Sequence, residues 1–70
     1  MTDKEYLLEM GRRIKVARKE RGVTVRKLSA LTGFSYVNLN YVENGISDCH
    51  ILYLKKIADA LKMDARWLMP

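Results

Sequence analysis

Twice between Thr24 and Gly45 the chain repeats one piece of punctuation: a hydroxyl residue able to cap a helix, eight or more residues free of glycine and proline, then a glycine. A Thr or Ser side chain satisfies the free amides of a helix's first turn, and a glycine takes the left-handed conformation that ends one. The pattern predicts a short helix from Thr24 through Thr32, closed by Gly33, and another from Ser35 to about Asn44, closed by Gly45. Two such helices on a glycine-centred turn form a helix-turn-helix if they meet at a steep angle. That meeting needs a small residue where the axes cross, Ser29, and apolar side chains in the wedge, Leu28, Phe34, Leu39 and Val42. All fall at suitable offsets; Thr32, where an aliphatic residue is more usual, is the weak match. An αα-hairpin inside a small bundle satisfies the same pattern.

The flanks are helical too. Thr2-Asp3-Lys4-Glu5 reads as a capping box, and Leu7, Met10, Ile14 and Ala17 recur at helical spacing, predicting a first helix over residues 3–21. Gly11 lies inside it, a costly residue there unless another backbone approaches closely. Ser47 or Asp48 is expected to open a fourth helix with Ile51, Leu54, Ile57, Ala58 and Leu61 on its buried stripe, and Asp64 to cap a last turn carrying Trp67 and Leu68. No segment alternates like a strand, so the fold class expected is all-α, five helices in one domain over residues 1–70. The spacing of Gly11, Gly22, Gly33 and Gly45 is nearly even, but their flanks share nothing, which rules out an internal repeat.

Seventy residues bury only about 60% of the surface their unfolded chain exposes, so stability is marginal without a disulfide, a metal or a second copy. Cys49 is the sole cysteine and His50 the sole histidine, too few for an intramolecular disulfide or a structural zinc site. Self-association is what remains. The two adjacent side chains point apart at a helix start, so no Cys-His dyad is expected. The glycines are isolated and cradle no phosphate, and the carboxylates are dispersed; neither catalysis nor a cofactor is expected. The longest apolar run, Ile51–Leu54, is far below the ~18 residues of a membrane span, and the N-terminus has no secretory signal, so a cytoplasmic or nucleoid-associated protein is expected. The net charge of +5 suggests a polyanionic partner, and all of that excess lies in residues 1–35.

With these pieces in order, the chain resembles the DNA-binding domain of the lambdoid phage repressors and Cro, the Xre-type helix-turn-helix. The carriers are Gly11-Arg12-Arg13-Ile14 and Arg18-Lys19-Glu20-Arg21-Gly22, Leu28-Ser29 with Gly33, Val42-Glu43-Asn44-Gly45, and Ile57-Ala58-Asp59-Ala60-Leu61 with Trp67-Leu68. The resemblance covers almost the whole chain. It implies a five-helix, lambda-repressor-like domain that binds double-stranded DNA, usually as a two-fold dimer, with the third helix in the major groove.

Carried over residue by residue, the resemblance places the base-reading positions on Tyr36, Val37 and Asn40, with Tyr41 one further on and Asn38 a weaker candidate. Asn pairs bidentately with adenine, Val packs on a thymine methyl, and a Tyr hydroxyl reaches a base edge or a phosphate. Backbone contacts fall on Lys19, Arg21, Thr24, Arg26, Lys27 and Asn44. Arg18 and Glu43 match a family ion pair that holds the motif onto the first helix. Where the family commonly begins its second helix with a Gln that bonds a phosphate and braces the recognition helix, this chain has Val25, so that contact is lost. The loop Ile46-Ser47-Asp48-Cys49-His50 has no cation at neutral pH, leaving phosphates there to backbone amides. Leu31, Ile46, Leu52 and Tyr53 are apolar at positions usually polar in the family and are candidates for a partner surface; Ile46, Leu52, Tyr53, Met63 and Met69 are the candidate homodimer surface. The rival reading is a protein-interaction module that holds another protein, such as a toxin, on the surface around Ile46, Leu52 and Tyr53.

Overall fold

The computed structural model describes residues 1–70 as four α-helices and a terminal turn: α1 Asp3–Glu20, α2 Val25–Thr32, α3 Tyr36–Glu43, α4 Ile51–Ala60, and a 3₁₀ turn over Ala65–Leu68. The capping box closes as expected, with the Glu5 amide donating to Thr2 Oγ1 and the Thr2 amide to Glu5 Oε1. Thr24 Oγ1 accepts from the Lys27 amide and Ser35 Oγ from the Asn38 amide, so α2 and α3 begin where their hydroxyl residues stand.

Three expectations are corrected. The fifth helix is a single 3₁₀ turn: the Trp67 amide bonds the Asp64 carbonyl three residues back, and Met69, the residue before a proline, is extended and does not continue it. Trp67 points outward, 74% exposed, while Leu68 fills the core. Helix α4 begins at Ile51, later than Ser47 or Asp48, because the Ile46 and Ser47 amides fold back onto the Tyr41 carbonyl and the Asp48 carboxylate accepts from the Cys49 amide. Ile51 is thus the first residue of α4 and lies in solvent instead of on the buried stripe. At the other end, Lys62 adopts the left-handed conformation, φ 57, and the Met63 amide closes onto Ala58 O, so α4 stops without a glycine.

One core joins the elements: Met10, Ile14 and Ala17 from α1, Leu28 from α2, Leu39 and Val42 from α3, Leu54, Ile57 and Ala58 from α4, with Leu61 and Leu68. Each fully buried aliphatic side chain contributes about 1.5 to 3 kcal/mol, and in so small a core every one matters. Helix α1 lies across α3 with Gly11 at the crossing. A Cβ there would strike the Val42 and Glu43 carbonyl oxygens, the latter at 2.5 Å, so the glycine is what allows the two backbones to touch.

Candidate nucleic-acid interface

The turn between α2 and α3 is held by more than its glycine. Gly33 sits at φ 77 and its amide donates to Ser29 O; Ser29 Oγ in turn donates to Phe34 O. Thr32, the weak match in the sequence, donates its hydroxyl to Leu28 O and accepts from the Phe34 amide, bridging the end of the helix to the turn. Leu28, Leu39 and Val42 are buried in the wedge, with Phe34 packed at its edge. This cluster fixes α3 with one face outward.

That outer face carries Tyr36, Val37 and Tyr41, all exposed, with Asn38 also exposed and Asn40 half-buried between them. The four base-reading candidates, Tyr36, Val37, Asn40 and Tyr41, therefore lie along one short helix. Asn40 is less open than its place on the sequence suggests, because it borders the face that packs on the core. From Phe34 through Leu54 there is no Lys or Arg.

The cations stand on the neighbouring elements and differ in how they are engaged. Lys19 and Lys27 are exposed. Arg12 and Arg13 both bond Glu9, whose carboxyl they hold down at about 2, and Arg13 also donates to Met69 O. Arg66 is bound to Asp64. Arg21, also expected at the DNA backbone, donates to Leu61 O and Ala17 O and so ties α1 to the end of α4; its guanidinium is drawn there by the carbonyls of two helix termini. Arg26 alone among the arginines lies against a ring: its guanidinium carbon is 5.0 Å from the centroid of Tyr36. No sequence pattern signals this contact, since the two residues are ten apart on different helices.

Thr24 and Asn44 flank the motif at the start of α2 and the end of α3, both exposed. Arg18 and Glu43 form a bidentate ion pair between α1 and α3, and Arg18 also donates to Val23 O, fastening the loop that leads into α2. Helix α4 has His50 at its cap position and no side-chain cap bond, so its first-turn amides are open to an anion. Burial, with the Asp48 charge adding to it, pushes the Cys49 thiol up to about 12, and its sulfur faces the His50 carbonyl.

The candidate partner surface is only partly as expected. Ile46 and Leu52 are well exposed, and Ile51 and Leu31 join them. Tyr53 instead stacks on Phe34, ring centroids 3.6 Å apart and planes within 6°, and Met63 packs against the core; both are half-buried because the chain uses them to seal the edge of its small interior. Met69 lies at the border of exposure, its carbonyl held by Arg13.

The profile of the helix-turn-helix family (HTH_3) matches residues 14–68. No curated protein matches the chain. Among solved structures, the restriction-modification controller protein C.AhdI from Aeromonas hydrophila superposes with a TM-score of 0.87 at 27% identity, over 90% of this chain and 96% of that one. An HTH_3 family transcriptional regulator from Vibrio cholerae gives 0.89 at 31% identity over 96% of this chain, which spans only 38% of that protein. The DNA-binding domain of BldD gives 0.87 over the full length of both chains, and at 19% identity it bears on the fold alone. With the motif, its turn and the surrounding helices all in place, the chain belongs to the Xre/Cro-like helix-turn-helix family.

Proposed function

We propose that this protein is a sequence-specific, double-stranded-DNA-binding transcriptional regulator, a repressor in its simplest form, that occupies a near-palindromic operator as a two-fold dimer. The observation that carries the reading is the outer face of α3, where Tyr36, Val37 and Tyr41 stand exposed and Asn40 half-exposed among them on a helix braced from behind. Their chemistry suits base edges: a carboxamide, two hydroxyls and a methyl-bearing side chain. The backbone grip then falls to Lys19, Arg26 and Lys27, with Thr24, Asn44 and the uncapped amides of α4 as neutral donors. Two features of the similar proteins support it, a controller function in one and transcriptional regulation in another.

Dimerisation belongs to the proposal because the domain is small and because Ile46, with Ile51 and Leu52 in the first turn of α4, leaves an apolar surface exposed. Selection of bound duplexes from a random pool tests the whole reading at once. The expected product holds two inverted half-sites with centres about 34 Å apart, one helical turn. A pool that shows no enrichment overturns it.

A second reading has its own observation: α3 and the loop after it have no fixed cation, while Leu31, Ile46, Ile51 and Leu52 are exposed. A domain keeping the fold to hold another protein would look this way. Binding to the DNA upstream of its own gene, measured by gel shift, separates the two.

A further inference from the structure

Of the arginines, Arg12, Arg13, Arg18, Arg21 and Arg66 all donate to a carboxylate or a carbonyl of the protein. Arg26 is placed differently. It projects from the first turn of α2, exposed, and its guanidinium lies over the ring of Tyr36 at the first position of α3, 5.0 Å from the centroid. That is within the ~6 Å at which a cation is held by the face of an aromatic ring. A guanidinium held over a ring still has N–H groups to offer other acceptors.

We propose that Arg26 is a positioning residue for base reading: it grips a phosphate with its edge and, through its face, fixes the Tyr36 ring in the orientation that reads the groove. The inference rests on the DNA-binding reading above and sharpens it. An exposed tyrosine at the start of a helix is free to change rotamer, and a contact it makes to a base must first overcome that freedom. A ring already pinned by Arg26 enters the groove ordered, so its selectivity is retained in binding. Position 25, a valine, has no polar group with which to brace α3, and Arg26 next to it supplies that brace. A phosphate contact by itself carries no sequence information, so any effect of Arg26 on selectivity must pass through the Tyr36 ring.

The test compares the duplex selected from a random pool with a scrambled duplex of the same length and composition, for the parent and for variants. Arg26→Ala and the second charge-free variant Arg26→Gln are expected to weaken both duplexes and, beyond that, to lower the selected-to-scrambled affinity ratio about three- to fivefold. Lys27→Ala, which removes the neighbouring charge without touching a ring, should leave the ratio unchanged. Arg26→Lys should restore affinity for the scrambled duplex while recovering the ratio only in part. In a Tyr36→Ala background, removing Arg26 should change the ratio no further. The proposal is overturned if Arg26 variants weaken both duplexes equally, or if the ratio falls by the same factor with and without the Tyr36 ring. A parent that shows no preference for any selected duplex overturns the DNA reading itself, and the coupling with it.

Discussion

Arg18 and Glu43 meet fork to fork across the contact between α1 and α3, with Nε to Oε2 at 2.7 Å and Nη2 to Oε1 at 3.0 Å, and both side chains are almost wholly withdrawn from water. Such a pair contributes little over two apolar residues of the same shape, but losing one partner strands a charge in the interior. Glu43→Ala should therefore destabilise by about 3 to 5 kcal/mol, much of what a domain of this size possesses. Thermal melting checks it: a midpoint within a degree or two of the parent would make the pair dispensable. A joint replacement of Arg18 and Glu43 by apolar residues should be milder than either single loss.

Gly11 gives a sharper case, because its neighbour is backbone and cannot rotate away. In open helix, Gly→Ala stabilises by up to about 1 kcal/mol. Here the added methyl meets the Val42 and Glu43 carbonyls, so α3 must shift against α1 and net destabilisation of about 2 kcal/mol is expected. Urea unfolding of Gly11→Ala decides the sign, and a more stable variant would show that the helices separate freely.

What the sequence made legible was local. Thr2, Thr24 and Ser35 cap helices through bonds to amides three residues away, and Gly33 needs only its own φ, so each is readable where it stands. The start of α4 was not, since it depends on Ile46 and Ser47 folding back to Tyr41. Arg21 looked like a free cation because the carbonyl that captures it, Leu61, is forty residues away. Tyr53 and Met63 looked like surface for the same reason: only the tertiary fold brings Phe34 against one and the core against the other. For the site, the residues of α3 could be named from the resemblance, but the contact between Arg26 and Tyr36 needed coordinates.

Alkaline stability follows from Cys49. Its thiol is raised from 9.0 to about 12, chiefly by burial, and the Tyr53 phenol is raised for the same reason. The folded state thus holds protons that the unfolded chain releases, so this contribution is complete below about pH 9 and declines as pH rises toward 12. Cys49→Ala should flatten that decline. Urea unfolding at neutral pH and at about pH 10 measures it, and equal losses in parent and variant would assign the decline to other groups.

Base reading should separate from backbone grip by mutation. Asn40→Ala is expected to lower affinity for the selected duplex by about 1 to 3 kcal/mol while barely changing binding to random DNA. Tyr36→Ala should do the same. Equal losses on both duplexes would move these residues from reading to positioning.

The salt dependence follows from where the fixed charge lies. With no Lys or Arg from Phe34 through Leu54, and with Arg21 bonded to the carbonyls of Leu61 and Ala17, the cations expected at the DNA backbone reduce to Lys19, Arg26 and Lys27. The open amides of α4 add hydrogen bonds but neutralise no charge, so they release no counterions. Two or three effective contacts per subunit make about four to six per dimer, and at ~0.9 each the slope of log K against log salt should be roughly −4 to −5. Lys27→Ala should weaken binding to the selected and random duplexes alike and flatten the slope by about two units, one per subunit. Affinities measured across a salt series for parent and variant decide the matter. A parental slope near about −10, which needs roughly twice as many cations as this face offers, would put the DNA against a different surface, and so would a slope that ignores the loss of Lys27.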